Sequence, residues 1–262
     1  MKKMPKWSVA LALLVGMLAA SSAGAMEQYF TFSFSGSGID GKGAPVSESG
    51  SGVLGGISIG KGAYFINHVA AIANGQSLSL LPTTTLYTGS CQAPCYSDTL
   101  FSASDAVGGY IFDDAINMSG TGLYLDTYGL GLKTSSGNYI NLLGVGNAST
   151  YYYIDDLLTA SNPKNIPSVQ VTVVIAPLTP SAAISSLDAS AQSVGVGGSA
   201  TNNLLAANAY FAAGDLRAAC EAMSDFVGAV REQADERLAR TLATALAAQA
   251  RIITSSMGCH RG

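Results

Sequence analysis

The sequence predicts a mainly β fold with added α: an antiparallel β-sandwich or barrel domain, then a small disulfide-stapled helical bundle. Three observations predict it. Period-two alternation of apolar and polar residues recurs through the first two thirds of the chain. Composition changes sharply near residue 177, from Gly, Ser, Thr and Tyr to Ala and Arg. Two cysteines then flank the last two helical patterns.

The first 25 of the 262 residues read as a signal peptide: "MKKMPK" is cationic, "WSVALALLVGMLAA" is apolar, and Ala23-Gly24-Ala25 is a small-x-small cleavage site. The apolar run falls short of the roughly 20 residues that span a bilayer. Cleavage removes Lys2, Lys3 and Lys6, so the formal net charge of −4 becomes −7. An acidic chain without clustered Lys/Arg does not suit nucleic acid or an anionic membrane. The expected setting is bacterial, secreted or periplasmic, with no membrane anchor after cleavage.

Residues 26–176 read as the β domain. In "YFTFSFSG" (29–36), Phe30, Phe32 and Phe34 share one face and Thr31, Ser33 and Ser35 the other. Further strands are expected at 63–73, 122–134, 138–146, 149–155 and 168–176. The last is β-branched on both faces and reads as central. Residues 177–182 read as a linker, since "APLTP" places two prolines where an element would otherwise run through.

Residues 183–262 read as helical. Thr179-Pro180 fits an N-cap with proline at the first helical position, and Ile184, Leu187, Ala191 and Val194 follow at helical spacing. "GVGG" ends that helix. A second is expected over 201–213, ended by Gly214. Asp215 can cap a third, whose stripe is Leu216, Ala219, Cys220, Met223, Phe226, Val227 and Val230. A fourth carries Leu238, Leu242, Ala245, Leu246, Ile253 and Met257. Glu221, Asp225 and Arg231 fall on the outer face of the third, where a partner would dock.

Four cysteines in an exported chain favour disulfides. Cys91 and Cys95 of "CQAPC" are expected to bridge locally. Cys220 and Cys259 are expected to clamp a helix hairpin that turns within "REQADERLAR" (231–240). A reactive thiol needs an electropositive, exposed setting, and Cys220 sits on an apolar stripe.

Several patterns look chemical and are set aside. Gly36, Gly38 and Gly41 spell G-x-G-x-x-G after a strand, but no helix follows. Gly55 to Lys61 resembles a phosphate-binding loop, yet Gly62 stands where the magnesium-binding hydroxyl belongs. Beyond the leader the histidines are His68 and His260, too few for a ligand cluster. No catalytic residue is assigned. Asp113 and Asp155 are candidates for calcium, the one cofactor considered. Tyr124, Tyr128, Tyr151 and Tyr153 are candidates for binding a glycan or protein, since exposed tyrosines mark such surfaces.

Two stretches carry family resemblances. "YFTFSFSGSGIDGKG" (29–43) and "DDAINMSGTGLYLDTYGLGLKTSSGNYINLLG" (113–144) resemble the exported β domains of bacterial proteins with a PEP-CTERM sorting signal. That resemblance implies export and a β-sandwich, although the Pro-Glu-Pro tail with its membrane helix is not seen. "NNLLAANAYFAAGDLRAACEAMSDFVGAV" (202–230) and "MGC" (257–259) resemble the FIMAH domain of bacterial secreted and surface proteins, which implies attachment or interaction. The expected function is therefore a secreted, non-catalytic protein for surface or matrix attachment through an extracellular glycan or protein. The alternative is an extracellular glycan-acting hydrolase using Asp105, Asp126 or Asp155 of the β domain.

Overall fold

Alternation in the first strand sets the architecture. The computed structural model describes residues 27–39, 44–81, 85–86, 96–97, 114–120, 124–125, 129–144, 151–155, 168–234 and 236–259. The expected leader, Cys91, Cys95, Asp105, Asp113, Asp126, Tyr128, Gly41 and His260 lie outside them.

The elements are β1 (Glu27–Ile39), β2 (Pro45–Gly60), β3 (Ala63–Ala73), β4 (Gln76–Leu80), β5 (Thr85–Leu86), β6 (Tyr96–Ser97), β7 (Ala115–Asn117), β8 (Leu130–Thr134), β9 (Tyr139–Gly144), β10 (Tyr151–Asp155) and β11 (Ser168–Pro177), then helices α1 (Pro180–Ser193), α2 (Ser199–Ala212), α3 (Leu216–Gln233) and α4 (Arg240–Ser256). Eight strands close into an antiparallel barrel in the order β1, β2, β3, β4, β8, β9, β10, β11, with β11 paired back to β1. The fold is thus a barrel and not a sandwich. Closure gives each of the eight barrel strands a partner on both sides, where a sandwich would have open edges to protect. Strand β7 lies beside β3 beyond the end of β4, and β5 pairs only with β6.

Phe30, Phe32 and Phe34 point inward and are buried, as are Leu54, Ile66, Leu130, Leu132, Leu142, Val171, Val173 and Ile175. Eight strands leave an interior that side chains can fill, and aromatics fill it here. Phe34 stacks on Tyr153 at 5.6 Å between centroids, and Phe30 meets Tyr64 edge-on at 4.9 Å. Strand β11 is not buried on both faces: its outer face meets solvent, leaving Val174 half exposed.

Strand β2 is absent from the sequence expectations because "PVSESGSGVLGGISIG" reads as turn. Its glycines instead permit close strand packing. A Cβ on Gly52 would collide with the Ala71 backbone, and one on Gly56 would come within 2.9 Å of the Ile66 side chain. Within the expected strand 122–134 the described strand is β8, Leu130–Thr134, and Gly129 just before it takes φ 71°.

Only residues 178 and 179 separate β11 from α1, so the helix starts inside the expected linker. The helical core gathers Ile184, Leu187, Leu204, Met223, Phe226, Val230, Leu246 and Ile253 around many alanines, which let the helices approach closely. Leu216, expected in the buried stripe, is exposed, as are Leu205 and Tyr210. Asp215 caps α3 by accepting from the Ala218 N–H at 3.0 Å. Cys220 and Cys259 are disulfide-bonded, with Cα atoms 5.9 Å apart. The bundle packs on the barrel's outer wall: Ile252 of α4 joins Val53 and Ala70, and Ile72 joins the helical core. Among the described residues no helix is long and apolar enough to cross a membrane.

Candidate functional site

Two clefts lie at the barrel end that carries the β3–β4 and β8–β9 turns. The mouth cleft, of about 320 Å³, is lined by Val46, Ser47, Glu48, Ala73, Asn74, Gln76, Thr134, Asn138 and Tyr153. The second, of about 310 Å³, opens on the seam between barrel and α1 and is lined by Ser49, Gly50, Ser51, Ile72, Asn74, Gly75, Ala189 and Ser193.

Asn74 borders both, and local chemistry fixes it. Asn74 (φ 49°) and Gly75 (φ 74°) form a two-residue hairpin turn with both residues left-handed, the geometry that favours Asn-Gly. The Asn74 carboxamide donates to Glu48 and accepts from the Ser49 N–H at 3.0 Å. Its backbone N–H donates to the Ser49 carbonyl at 3.0 Å. The turn is therefore locked onto β2.

The opposite rim is locked in the same way. The Thr134 hydroxyl accepts from the Asn138 N–H at 3.0 Å and exchanges a bond with Ser136 at 2.9 Å. The Gln76 side-chain oxygen accepts from the Ser136 N–H at 3.2 Å, tying β4 to that turn. The floor is Tyr153, held flat by Phe34. No bond from another described residue is seen to the carboxamide of Asn138, a residue of the lining, which leaves its donor and acceptor open. The result is a preorganised rim of neutral amides and hydroxyls with a single carboxylate, Glu48, already engaged by Asn74.

The tyrosines expected to bind a ligand divide. Tyr151 and Tyr153 are buried, at 4% and 3% exposure. Tyr151 is a core residue whose phenol oxygen accepts from the Tyr124 N–H at 2.9 Å, and burial pushes that phenol upward in pKa. Tyr124 is partly buried beside it. Tyr153 reaches a cleft, as its floor. Tyr128 lies outside the described residues.

Of the calcium candidates, Asp113 lies outside the described residues, and Asp155 ends β10 with its side chain undescribed. Among the described residues no group of three or more His, Cys, Asp or Glu could hold a metal ion. His68 stands exposed on the outer face of β3. Gly36 and Gly38 lie within β1, and the stretch resembling a phosphate loop is the end of β2 with Lys61 in the turn after it.

Apart from Tyr153, the residues lining the mouth cleft were not singled out in the sequence. The signal for one was present: Asn74-Gly75 between two apolar runs marks a hairpin. Gln76, Thr134 and Asn138 carry no such mark, because strand closure alone brings them together. No family model, curated protein or solved structure matches the chain.

Proposed function

We propose that this chain is an exported, non-catalytic binding protein whose barrel mouth takes a neutral glycan. One observation carries the reading: the mouth cleft combines fixed neutral donors and acceptors (Asn74, Gln76, Thr134, Asn138) with an aromatic floor at Tyr153. Sugar hydroxyls both donate and accept, which suits carboxamides. A charged ligand would call for an opposite charge, and the lining offers only an engaged Glu48. A few convergent polar groups in a preformed concavity are the ordinary makings of a ligand site. The Cys220–Cys259 disulfide supports an oxidising, extracellular setting. The helical module then serves attachment, as its FIMAH resemblance implies, with the exposed Glu221, Asp225 and Arg231 facing outward.

The test is titration of the full chain with neutral saccharides, comparing wild type with Asn138→Ala. Losing a hydrogen-bonding amide should weaken binding by about tenfold. Absence of binding to any neutral saccharide, or binding untouched by Asn138→Ala, would overturn the assignment.

A further inference from the structure

Asn74 belongs to both clefts, and the two linings are consecutive along the chain. Strand β2 supplies Val46, Ser47 and Glu48 to the mouth, then Ser49, Gly50 and Ser51 to the seam. The β3–β4 hairpin supplies Ala73 and Gln76 to the mouth, and Ile72 and Gly75 to the seam. The clefts are therefore two halves of one track that crosses the Asn74–Gly75 turn. Gly75 presents no side chain there, and a Cβ at that position would meet nothing within 4 Å.

Size points the same way. Ligand sites range over about 300–1,000 Å³. Each cleft alone sits at the lower limit, whereas the pair falls inside the range. The linings are also alike in chemistry. The seam offers the hydroxyls of Ser49, Ser51 and Ser193 over the apolar Ile72 and Ala189, with no charged group where the mouth has only the engaged Glu48. Its far wall is rigidly joined to its near wall. Ser190 of α1 donates to the Ser186 carbonyl at 3.0 Å and lies 2.7 Å from the Ser51 hydroxyl. The seam is thus a fixed part of the molecule and not a gap between loose domains.

We infer that the ligand is a linear glycan segment several sugars long, seated in the mouth and crossing the Asn74–Gly75 turn into the seam. This rests on the mouth being a glycan site. It gives the helical module a direct role, since α1 forms the outer wall of the second subsite through Ala189 and Ser193.

The experiment titrates the full chain with cello-, chito-, xylo- and malto-oligosaccharides, each from the monosaccharide to the hexasaccharide. Affinity in the recognised series should rise by about tenfold or more between disaccharide and tetrasaccharide as the second subsite fills. Ala189→Arg places a long charged side chain in the seam from an exposed, helix-compatible position. It should erase the gain with length and leave disaccharide binding intact. Ser193→Tyr, at the helix end, should do the same, and circular dichroism would verify that both variants fold. Affinity independent of length, or a length gain that survives both variants, would overturn the track while leaving the mouth assignment standing. No binding in any series would overturn both.

Discussion

The buried Asp114 side chain accepts a hydrogen bond from the Gly131 N–H at 2.9 Å through Oδ1. Its backbone makes two more closures, accepting from Ile66 N–H at 2.7 Å and donating to the Gly129 carbonyl at 3.1 Å. The position matters because β4 is far shorter than β3. It pairs β3 only at Ala71–Ala73, and β7 takes over at Ala63–Phe65. Between these pairings Asp114 joins β3 to β8 and completes the barrel wall. It does so at φ 52°, a left-handed conformation that Asp and Asn tolerate better than other side chains. Asp114→Ala should cost about 3 kcal/mol, from an orphaned N–H and the strained backbone. Asp114→Asn keeps an acceptor oxygen and the tolerated φ, and should cost less than about 1 kcal/mol. Urea unfolding midpoints compare the three proteins; equal losses for the two variants would remove Oδ1 as the cause.

A second expectation concerns alkaline pH. Tyr29 donates to Glu27 at 2.7 Å. That bond, with burial and the Glu27 charge, pushes the phenol up to about 12. In the unfolded chain a tyrosine titrates near 10. A folded value above the unfolded one stabilises fully below about pH 10 and is lost as pH rises toward 12. Tyr29 also packs on Val53, Ala70 and Ile252 at the junction of barrel and helices, so its ionisation should loosen that junction. Tyr151, raised chiefly by burial, adds to the same alkaline slope. Tyr29→Phe should lower neutral-pH stability by what the Glu27 bond contributes there, and flatten part of the further loss between about pH 10 and pH 12. Thermal melts along that pH range decide it, and an unaltered slope would exclude Tyr29.

Residues that interact with neighbours in sequence were the ones readable without coordinates. Phe30, Phe32 and Phe34 reveal a face because strand periodicity is local. Asp215 and Gly214 mark a helix boundary for the same reason, and Cys220 and Cys259 pair because a helix hairpin makes their separation meaningful. Strand β2 was hidden because the partners that make glycine necessary at Gly52 and Gly56 come from β3. The mouth was hidden for a similar reason: Asn74 and Asn138 are far apart in sequence and meet only when the barrel closes. Tyr151 and Tyr153 show the limit of alternation, which predicts a shared face but not whether that face is wet.

Gln249 of α4 is buried to 1% exposure, and its amide nitrogen has no hydrogen-bond partner among the described residues. A buried donor left unpaired loses its solvation without return, at about 1–3 kcal/mol. Methionine matches its length without the polar atoms and adapts to irregular packing. Gln249→Met should therefore raise stability by about 1 kcal/mol, read as an increase in Tm. A lowered Tm would mean that the amide is satisfied by an ordered water.

The disulfide makes a sharper regional statement. It joins the second turn of α3 to the residues just beyond α4, across 39 positions of chain. Closing such a loop restricts the unfolded state by about 4 kcal/mol on the entropy account. The loss on removing it should not spread evenly. Helix α4 remains seated on the barrel through Ile252 and Ala248, and α1 through Ser190 and Ser51. Helices α2 and α3 pack chiefly on each other and lean on the staple. In the double variant Cys220→Ala, Cys259→Ala, amide exchange should accelerate first in α2 and α3, while barrel strands and α4 keep their protection. Exchange that accelerates equally in β1 and α3 would instead make barrel and bundle a single cooperative unit, with the disulfide stabilising the whole.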